Sequence, residues 1–136
     1  MSRAFLAELT RHRHLSFSVE SQRFIDANDA NIVLPPAVLY SDEETQDRFI
    51  WSANESLKWY EDTQIAFRKL PKKQRNEAAR GLLPNAVETR MVVTGNLRAW
   101  NEVIQRRTQP DADAEMQEVM RLAREALHTV SPIIFP

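Results

Sequence analysis

The stretch RHRHLSFSVES, residues 11–21, contains the point at which a helical pattern gives way to an extended one. From Leu15 to Val19 apolar side chains alternate with serines, and such alternation is typical of a strand with one buried face. In the preceding SRAFLAELTRHR, residues 2–13, apolar side chains recur at helical spacing and the segment ends in basic residues, which helix C-termini prefer. The sequence therefore predicts a helix that leads directly into a strand.

The junction crowds positive charge into RHR, residues 11–13, and such a cluster is costly unless an anion lies among the side chains. If the alternation continues past Val19, Ser21 and Arg23 fall on the buried face of the strand. A buried arginine needs an anion or a carboxylate as its partner. The alternative, which the residues alone favour, is that the strand ends at Val19 and leaves Arg23 on the surface.

The rest of the chain predicts an α+β protein in which helices dominate. A loop at residues 26–36 precedes a long helix over 41–70, which opens with a capping box made by Ser41 and Glu44. A short basic helix, a second strand and two amphipathic helices follow, at residues 72–83, 88–95, 96–107 and 113–130.

Composition excludes several classes of function. The chain has 136 residues, which suits a single domain over 1–136, and its net charge of -1 gives no overall attraction to nucleic acid or membrane. It has no cysteine, which excludes thiolate nucleophiles and thiolate metal ligands, and its 2 glycines exclude a glycine-rich phosphate loop. No apolar run is long enough to span a membrane, and the first residues lack a signal-peptide pattern. We expect a cytoplasmic protein without a metal, whose anion sites are local.

The helix predicted over 96–107 carries two arginines in unusual places. Leu97, Trp100 and Ile104 form an apolar stripe, and Arg107 is its next member, so Arg107 either faces the interior or extends its head outward into solvent. Arg98 lies in the first turn, where the helix dipole disfavours a cation. A bound phosphate would reverse that sign, because the helix N-terminus and the guanidinium would then both attract it.

Arg11-His12-Arg13, followed by seven residues and Ser21, is similar to the RHRx7S signature of the flavin-dependent thymidylate synthases. Further segments resemble the family in the same order: SQRF, ARGLLPNAVETRMVVTGNLRAW, AEMQEVMRLA and VSPIIF. The resemblance covers essentially the whole chain. It implies the fold of that family, of which this chain would provide the helix-rich C-terminal part with a few strands of the central sheet.

The resemblance also implies a reaction. In this family the C5 carbon of dUMP is methylated, with methylene-tetrahydrofolate as carbon donor and with FAD, recharged by NADPH, as the source of hydride. The products are dTMP and tetrahydrofolate, and no cysteine nucleophile is needed. Members assemble as homotetramers with shared active sites, for which the apolar stripe from Ile50 to Phe67 is a candidate contact surface, although burial within one chain explains it equally well.

Site residues follow from the same resemblance. FAD binding falls to Arg11, His12, Arg13, Asn96, Arg98 and Glu102. Binding of dUMP falls to Arg3, Glu8, Arg11, Glu20, Ser21, Gln22, Arg23, Arg80 and Arg107. Arg107 is also the catalytic residue, since a guanidinium beside N3 of the uracil stabilises charge that develops there without a covalent bond. Ser21 binds and orients the substrate, because the sequence shows no adjacent base to activate it as a nucleophile.

Other functions stay open. Members of the family usually have a long segment before the helix that carries RHR, so an upstream start, a separate chain that supplies this segment, or an inactive nucleotide-binding remnant are three explanations for the short chain. A nucleic-acid-binding module is a fourth possibility, with basic helices at 3–14 and 71–83 near Phe17 and Phe24. The near-neutral net charge argues against it.

Overall fold

The computed structural model describes residues 1–136 as six α-helices, one 3-10 turn and one two-stranded antiparallel sheet. The helices are α1 (Arg3–Leu9), α2 (Pro36–Leu39), α3 (Glu43–Ala66), α4 (Lys72–Ala79), α5 (Leu97–Arg107) and α6 (Ala114–His128). The strands are β1 (Ser16–Val19) and β2 (Met91–Thr94), and the 3-10 turn spans Arg80–Leu82. The predicted α+β class is confirmed. None of the helices combines the length and the apolar character that crossing a bilayer requires.

Helix α1 is shorter than the sequence predicts. Ser2 begins it by accepting a hydrogen bond from the amide of Phe5, but the helix ends at Leu9, before the RHR motif. The hydroxyl of Thr10 donates to the carbonyl of Leu6 at 3.0 Å, so it competes with the backbone for that acceptor. The amides that follow bond three residues back instead of four, which tightens the last turn. The RHR motif therefore lies in a turn and not on the helix.

Strands β1 and β2 pair in antiparallel register, with Phe17 opposite Val93 and Val19 opposite Met91. These side chains face the interior, whereas the serines of β1 face outward, so the predicted alternation is confirmed. Strand β1 ends at Val19, as the favoured interpretation held. The residues after it leave the sheet, and Ser21 and Arg23 lie in the following loop.

The main core lies where α1, α5, α6 and the sheet meet. Helix α6 presents the predicted apolar face to it, with Met116 and Met120 fully buried. Each fully buried large apolar side chain contributes about 1.5–3 kcal/mol relative to an exposed one. The whole cluster takes apolar side chains from five parts of the chain: Phe5, Leu9, Leu15, Ala99, Val103, Ile104, Met116, Met120 and Phe135.

Helix α3 begins and ends differently from the prediction. The carboxylate of Asp42 caps it by accepting the amide of Thr45 at 2.8 Å, while the hydroxyl of Ser41 donates to the carbonyl of Val38 at 2.7 Å. The predicted capping box of Ser41 and Glu44 is therefore wrong, because the Ser41 hydroxyl bonds a carbonyl at the end of α2 instead. The helix also ends at Ala66, four residues earlier than predicted.

Most of α3 is exposed. Over 24 residues it buries only Ala53, Tyr60 and Gln64, of which Tyr60 and Gln64 face α4 and the loop after β1. Of the predicted apolar stripe, Ile50 is 37% exposed and Phe67 is 45% exposed. Helix α3 is thus attached to the rest of the chain by a narrow contact, in which polar side chains take a large part.

Candidate active site

A basic cavity of about 250 Å³ lies between the turn after α1 and the side of α5. Five of its eight lining residues carry an arginine or histidine side chain, and one carries a carboxylate. An excess of cationic groups around one space favours an anionic ligand. The lining consists of Arg11, His12, Arg13, His14, Ala99, Glu102, Val103 and Arg106.

Local structure explains why these side chains meet. The tight turn after α1 brings the RHR motif against α5, because the amides of Arg11 and His12 bond to carbonyls three residues back. Helix α5 buries Ala99 and Val103 against the core. Those two residues form the floor of the cavity, and the neighbouring Glu102 lies on its wall within 3.8 Å of Arg106, one turn later.

Arg107 ends α5 and reaches back to the first helix. Its Nε donates to Nε2 of His12 at 2.9 Å, and its Nη1 donates to Oε2 of Glu8 at 3.2 Å. The Arg107 side chain is 23% exposed, so the guanidinium is half-buried and held at two points. Of the two expectations for Arg107, the structure shows the inward one.

The charges around His12 determine its protonation. Burial lowers the pKa of His12 below its ordinary value of 6.5, and the positive charges of Arg107 and Arg106 lower it further. The carboxylates of Glu102 and Glu8 act in the opposite direction but do not cancel this effect. The imidazole is therefore neutral near pH 7. Because Nε2 accepts a hydrogen bond from Arg107, the ring hydrogen is on Nδ1.

A second, narrow cleft of about 40 Å³ lies beside the loop after β1 and includes Arg3, Glu20 and Gln22 in its lining. Burial lowers the pKa of Arg3, and the nearby positive charge of Arg80 lowers it further. Two guanidinium groups that repel each other in this way are stabilised by an anion between them. The cleft has room for about one water molecule.

Ser21 and Arg23 belong to the same loop but already have partners. Nε of Arg23 pairs with Oε1 of Glu77 on α4 at 2.5 Å, and its guanidinium lies 5.8 Å from the centre of the Phe24 ring. The hydroxyl of Ser21 accepts the amide of Arg23 at 3.4 Å. No basic side chain bonds to Ser21, so its geometry is that of a turn residue and not of an activated nucleophile.

Asn96 and Arg98 stand apart from both clusters. The side-chain oxygen of Asn96 accepts the amide of Ala99 at 2.8 Å and thereby caps α5. Arg98 is exposed in the first turn of α5, and neither residue lines the basic cavity.

The structure thus divides the residues singled out from the sequence into three groups. The basic cavity and its edge bring together Glu8, Arg11, His12, Arg13, Glu102 and Arg107. The narrow cleft and its surroundings contain Arg3, Glu20, Ser21, Gln22, Arg23 and Arg80. Asn96 and Arg98 form the third group.

Two ionisable lining residues of the basic cavity, His14 and Arg106, were not among the predicted site residues, and neither were the apolar Ala99 and Val103. The signal for Arg106 was its position four residues after Glu102, which places both on one face of α5. His14 follows the RHR motif directly.

Comparison with known proteins identifies the relatives of this fold. The family described as thymidylate synthase complementing protein matches residues 1–133. The chain belongs to this family. A probable flavin-dependent thymidylate synthase of Mycobacterium phage L5 is 44% identical over 137 residues. That alignment covers 96% of this chain but 56% of the phage protein, so the chain spans little more than half the length of this relative.

Two solved structures share the architecture of this chain. Thymidylate synthase X from Helicobacter pylori, solved with FAD and dUMP, superposes on this chain with a TM-score of 0.67 at 22% identity. The match covers 99% of this chain and 67% of the Helicobacter pylori chain. A UMP/dUMP methylase from Streptomyces cacaoi, bound to 5-Br dUMP, gives a TM-score of 0.76 at 20% identity, over 98% and 65% of the two chains. The expected family fold is confirmed.

Proposed function

We propose that the chain takes part in the reductive methylation of dUMP to dTMP, with methylene-tetrahydrofolate as carbon donor and FAD reduced by NADPH as the source of hydride. Family membership supports this proposal, as do the names of the curated relatives and the dUMP-bound structural neighbours. We also propose that the protein acts in the cytoplasm and assembles as a homotetramer whose active sites are shared between subunits.

The observation that carries the proposal is the position of Arg107 at the edge of the basic cavity. A guanidinium has five N–H donors, and Arg107 uses one at Nε for His12 and one at Nη1 for Glu8. Three donors therefore stay available on a group whose orientation is fixed. Donors held in place before the reaction stabilise developing charge at little reorganisation cost. Arg107 is suited in this way to polarise the imide of a uracil ring at N3.

The basic cavity suits part of a flavin dinucleotide. Its volume of about 250 Å³ lies below the roughly 300–1,000 Å³ of sites that enclose a whole drug-sized ligand. A phosphate-bearing portion fits both this size and the excess of cationic groups. Arg11, His12 and Arg13 would hold it, together with His14 and Arg106, which share the lining. When bound, the flavin supplies the hydride.

The pair of Arg3 and Arg80 beside the narrow cleft suits the phosphate of the nucleotide. The cleft itself does not, because it is too small and carries the carboxylates of Glu20, Asp26 and Glu88. A phosphate dianion near Arg3 and Arg80 removes the repulsion that lowers the pKa of Arg3. Arg23 is positioned from α4 through Glu77, and Ser21 shapes the turn beside it. In the proposal, the loop of Glu20, Ser21, Gln22 and Arg23 orients the nucleotide, and the uracil ring is directed towards Arg107. Asn96 and Arg98 keep their proposed roles towards FAD at the start of α5.

The test begins with ligand binding by the purified chain. We expect FAD fluorescence to be quenched on titration and dUMP to release heat in calorimetry. Binding is measured with the chain alone and with the remaining N-terminal part of the phage relative added as a separate polypeptide. Failure to bind either ligand in both conditions overturns the proposal. If the chain binds FAD and dUMP but forms no dTMP that chromatography detects when all co-substrates are present, the result favours an inactive nucleotide-binding remnant.

Two variants test the assigned roles. Arg107→Ala should lower turnover far more than dUMP affinity, because its donors act on charge that develops during the reaction. Equal losses of turnover and affinity would make Arg107 a binding residue only. Arg13→Ala should weaken FAD binding without a change in the melting temperature, since Arg13 is exposed and lies outside the core.

A further inference from the structure

His12 belongs to two sites at once. Its side chain lines the basic cavity, and its Nε2 accepts the Nε–H of Arg107 at the cavity edge. Residues that join two binding sites through one rigid ring can transmit the state of one site to the other, provided that each side of the ring has a defined role. The imidazole of His12 meets this condition.

The hydrogen-bond chemistry of the ring assigns those roles. A neutral imidazole has one acceptor nitrogen and one donor nitrogen. Since Nε2 of His12 accepts from Arg107, its Nδ1 carries the hydrogen and is the nitrogen left for the cavity. Protonation at Nε2 would remove the acceptor and place a second cation against the guanidinium.

The surrounding charges favour this state. Facing His12 from α5 are the cations of Arg106 and Arg107 and the carboxylate of Glu102, and from α1 the carboxylate of Glu8. The same cavity wall carries Arg11, Arg13 and His14. This balance of charge disfavours imidazolium and leaves Nε2 free to accept the hydrogen bond from Arg107.

We infer that His12 is a positioning residue that holds the Arg107 guanidinium through Nε2 and offers its Nδ1–H to the anion in the basic cavity, so that occupation of the cavity strengthens the hold on Arg107. The inference rests on the proposed function for the identity of the two ligands. It makes the flavin side and the nucleotide side of the site energetically coupled through one imidazole ring. A hydrogen bond donated by Nδ1–H to an anion raises the basicity of Nε2, which strengthens the bond that Nε2 accepts.

The first experiment needs no activity. Long-range proton–nitrogen NMR of the full chain identifies the tautomer and pKa of each of its 3 histidines, and His12→Gln assigns the His12 signals. We expect the Nδ1–H tautomer for His12 and a pKa below 6.5. In Arg107→Lys, which keeps the charge but loses the Nε donor, the tautomer preference should relax. An Nε2–H tautomer in the wild-type chain, or an unchanged tautomer in Arg107→Lys, overturns the inference.

Glu8→Gln is the matched control. It keeps an oxygen acceptor for Nη1 of Arg107 and removes only the charge of Glu8. The His12 tautomer should stay unchanged in this variant, and the pKa of His12 should fall, because a carboxylate that raises it is gone. A relaxed tautomer in Glu8→Gln would mean that Glu8 and not His12 determines the position of Arg107, which also overturns the inference.

The second experiment measures the coupling itself. The affinity for dUMP is determined with and without saturating FAD, in the wild-type chain and in His12→Gln. We expect FAD to tighten dUMP binding about fivefold more in the wild type, the factor that corresponds to one ordinary hydrogen bond. If FAD tightens dUMP binding by the same factor in the wild type and in His12→Gln, the inferred coupling is overturned. If the wild type binds neither ligand, the proposed function fails, whereas the NMR result still decides how His12 and Arg107 are arranged.

Discussion

The main core buries nine apolar side chains in one cluster, seven of them on helices α1, α5 and α6, whereas α3, α4 and the loop after β1 meet around three. In the first region, which we call the apolar half, close packing decides the arrangement. In the second, which we call the polar half, a network of hydrogen bonds does so. The basic cavity is built on the apolar half, and the loop with Ser21 and Arg23 is built on the polar half.

Gln64 is the centre of the network in the polar half. Its Nε2 lies 2.9 Å from the hydroxyl of Tyr60, 2.8 Å from the side-chain oxygen of Asn76 and 3.1 Å from Asp26. The Tyr60 hydroxyl also accepts the amide of Ala27 at 3.2 Å, which ties the loop to α3. One amide nitrogen has two hydrogens for these three oxygens. Nδ2 of Asn76 is also buried without a partner.

Incomplete satisfaction of buried polar groups makes such a region weaker than a packed apolar cluster of similar size. We therefore expect the polar half to open locally before the apolar half does. The contrast places the basic cavity, proposed to hold part of FAD, on the more rigid support. The loop proposed to orient the nucleotide lies on the support that adapts more easily.

The largest effect is expected in the apolar half from Met116→Ala. Met116 is fully buried, and the truncation leaves a cavity in the main cluster. We expect a loss of about 2–5 kcal/mol in the free energy of unfolding, measured by urea denaturation. Leu122→Ala on the same helix is the control, because Leu122 is 59% exposed. Similar losses in the two variants would contradict the assignment of the core.

Tyr60→Phe tests the polar half with the ring retained. It leaves the amide of Ala27 without its acceptor, which costs about 1–3 kcal/mol for a buried donor. Hydrogen exchange should show faster exchange in residues 20–31 than in α6. Tyr40→Phe, at an 83% exposed position, provides the comparison and should leave stability unchanged. If Tyr60→Phe accelerates exchange equally throughout the chain, the two halves do not open separately.

A pair of glycine substitutions sharpens the contrast in packing. A Cβ at Gly95 would overlap Cδ2 of Leu15, whereas a Cβ at Gly81 meets no atom within 4 Å. Gly95→Ala should cost about 1–2 kcal/mol, at the lower end of overpacking, since the Leu15 side chain has some room to rotate. Gly81→Ala should stabilise by about 0.4–1 kcal/mol, because it reduces the freedom of the unfolded chain. Thermal unfolding of both variants provides the measurement.

The smallest expected effect is the response of the polar half to acid. Burial alone would raise the pKa of Asp26, but hydrogen bonds from Lys72 and Gln64 and the charge of Lys72 lower it below 3.8. A carboxyl whose pKa is lower in the folded state contributes stability above its unfolded pKa and loses it as pH falls through the folded value. Asp26→Asn should therefore flatten the acid limb of stability below about pH 4. An unchanged acid limb would mean that Asp26 adds nothing to the network.

Local pattern was enough to predict much of the apolar half. The alternation at 15–19 predicted β1 and its buried face, and the spacing of Met116 and Met120 predicted the inner face of α6. These features depend on periodicity, which a single segment contains in full. The RHRx7S motif also singled out residues 11–13, which form one wall of the basic cavity, although the sequence predicted a helix there and the resemblance, not the periodicity, gave these residues a function.

Competition between neighbouring groups explains the errors. Thr10 and the tightened turn end α1 early, and Asp42 takes the capping role predicted for Ser41, because several residues at each boundary are able to make the same bond. The partners of Arg107 were not visible in the sequence, since His12 and Glu8 lie 95 and 99 positions away. The same is true of the pair between Arg23 and Glu77, which are 54 positions apart.

The bond between Ser2 and Glu115 joins residues 113 positions apart, and with Arg107 it fastens the first helix to the last part of the chain. Contacts of such long sequence separation form late, because the loop between them must be closed before they contribute. During synthesis α1 therefore cannot make these contacts until the segments that carry Arg107 and Glu115 have been made. The RHR turn and the cavity beside it should be among the last parts to become ordered, so the proposed binding of the flavin should appear together with the completed fold and not before it.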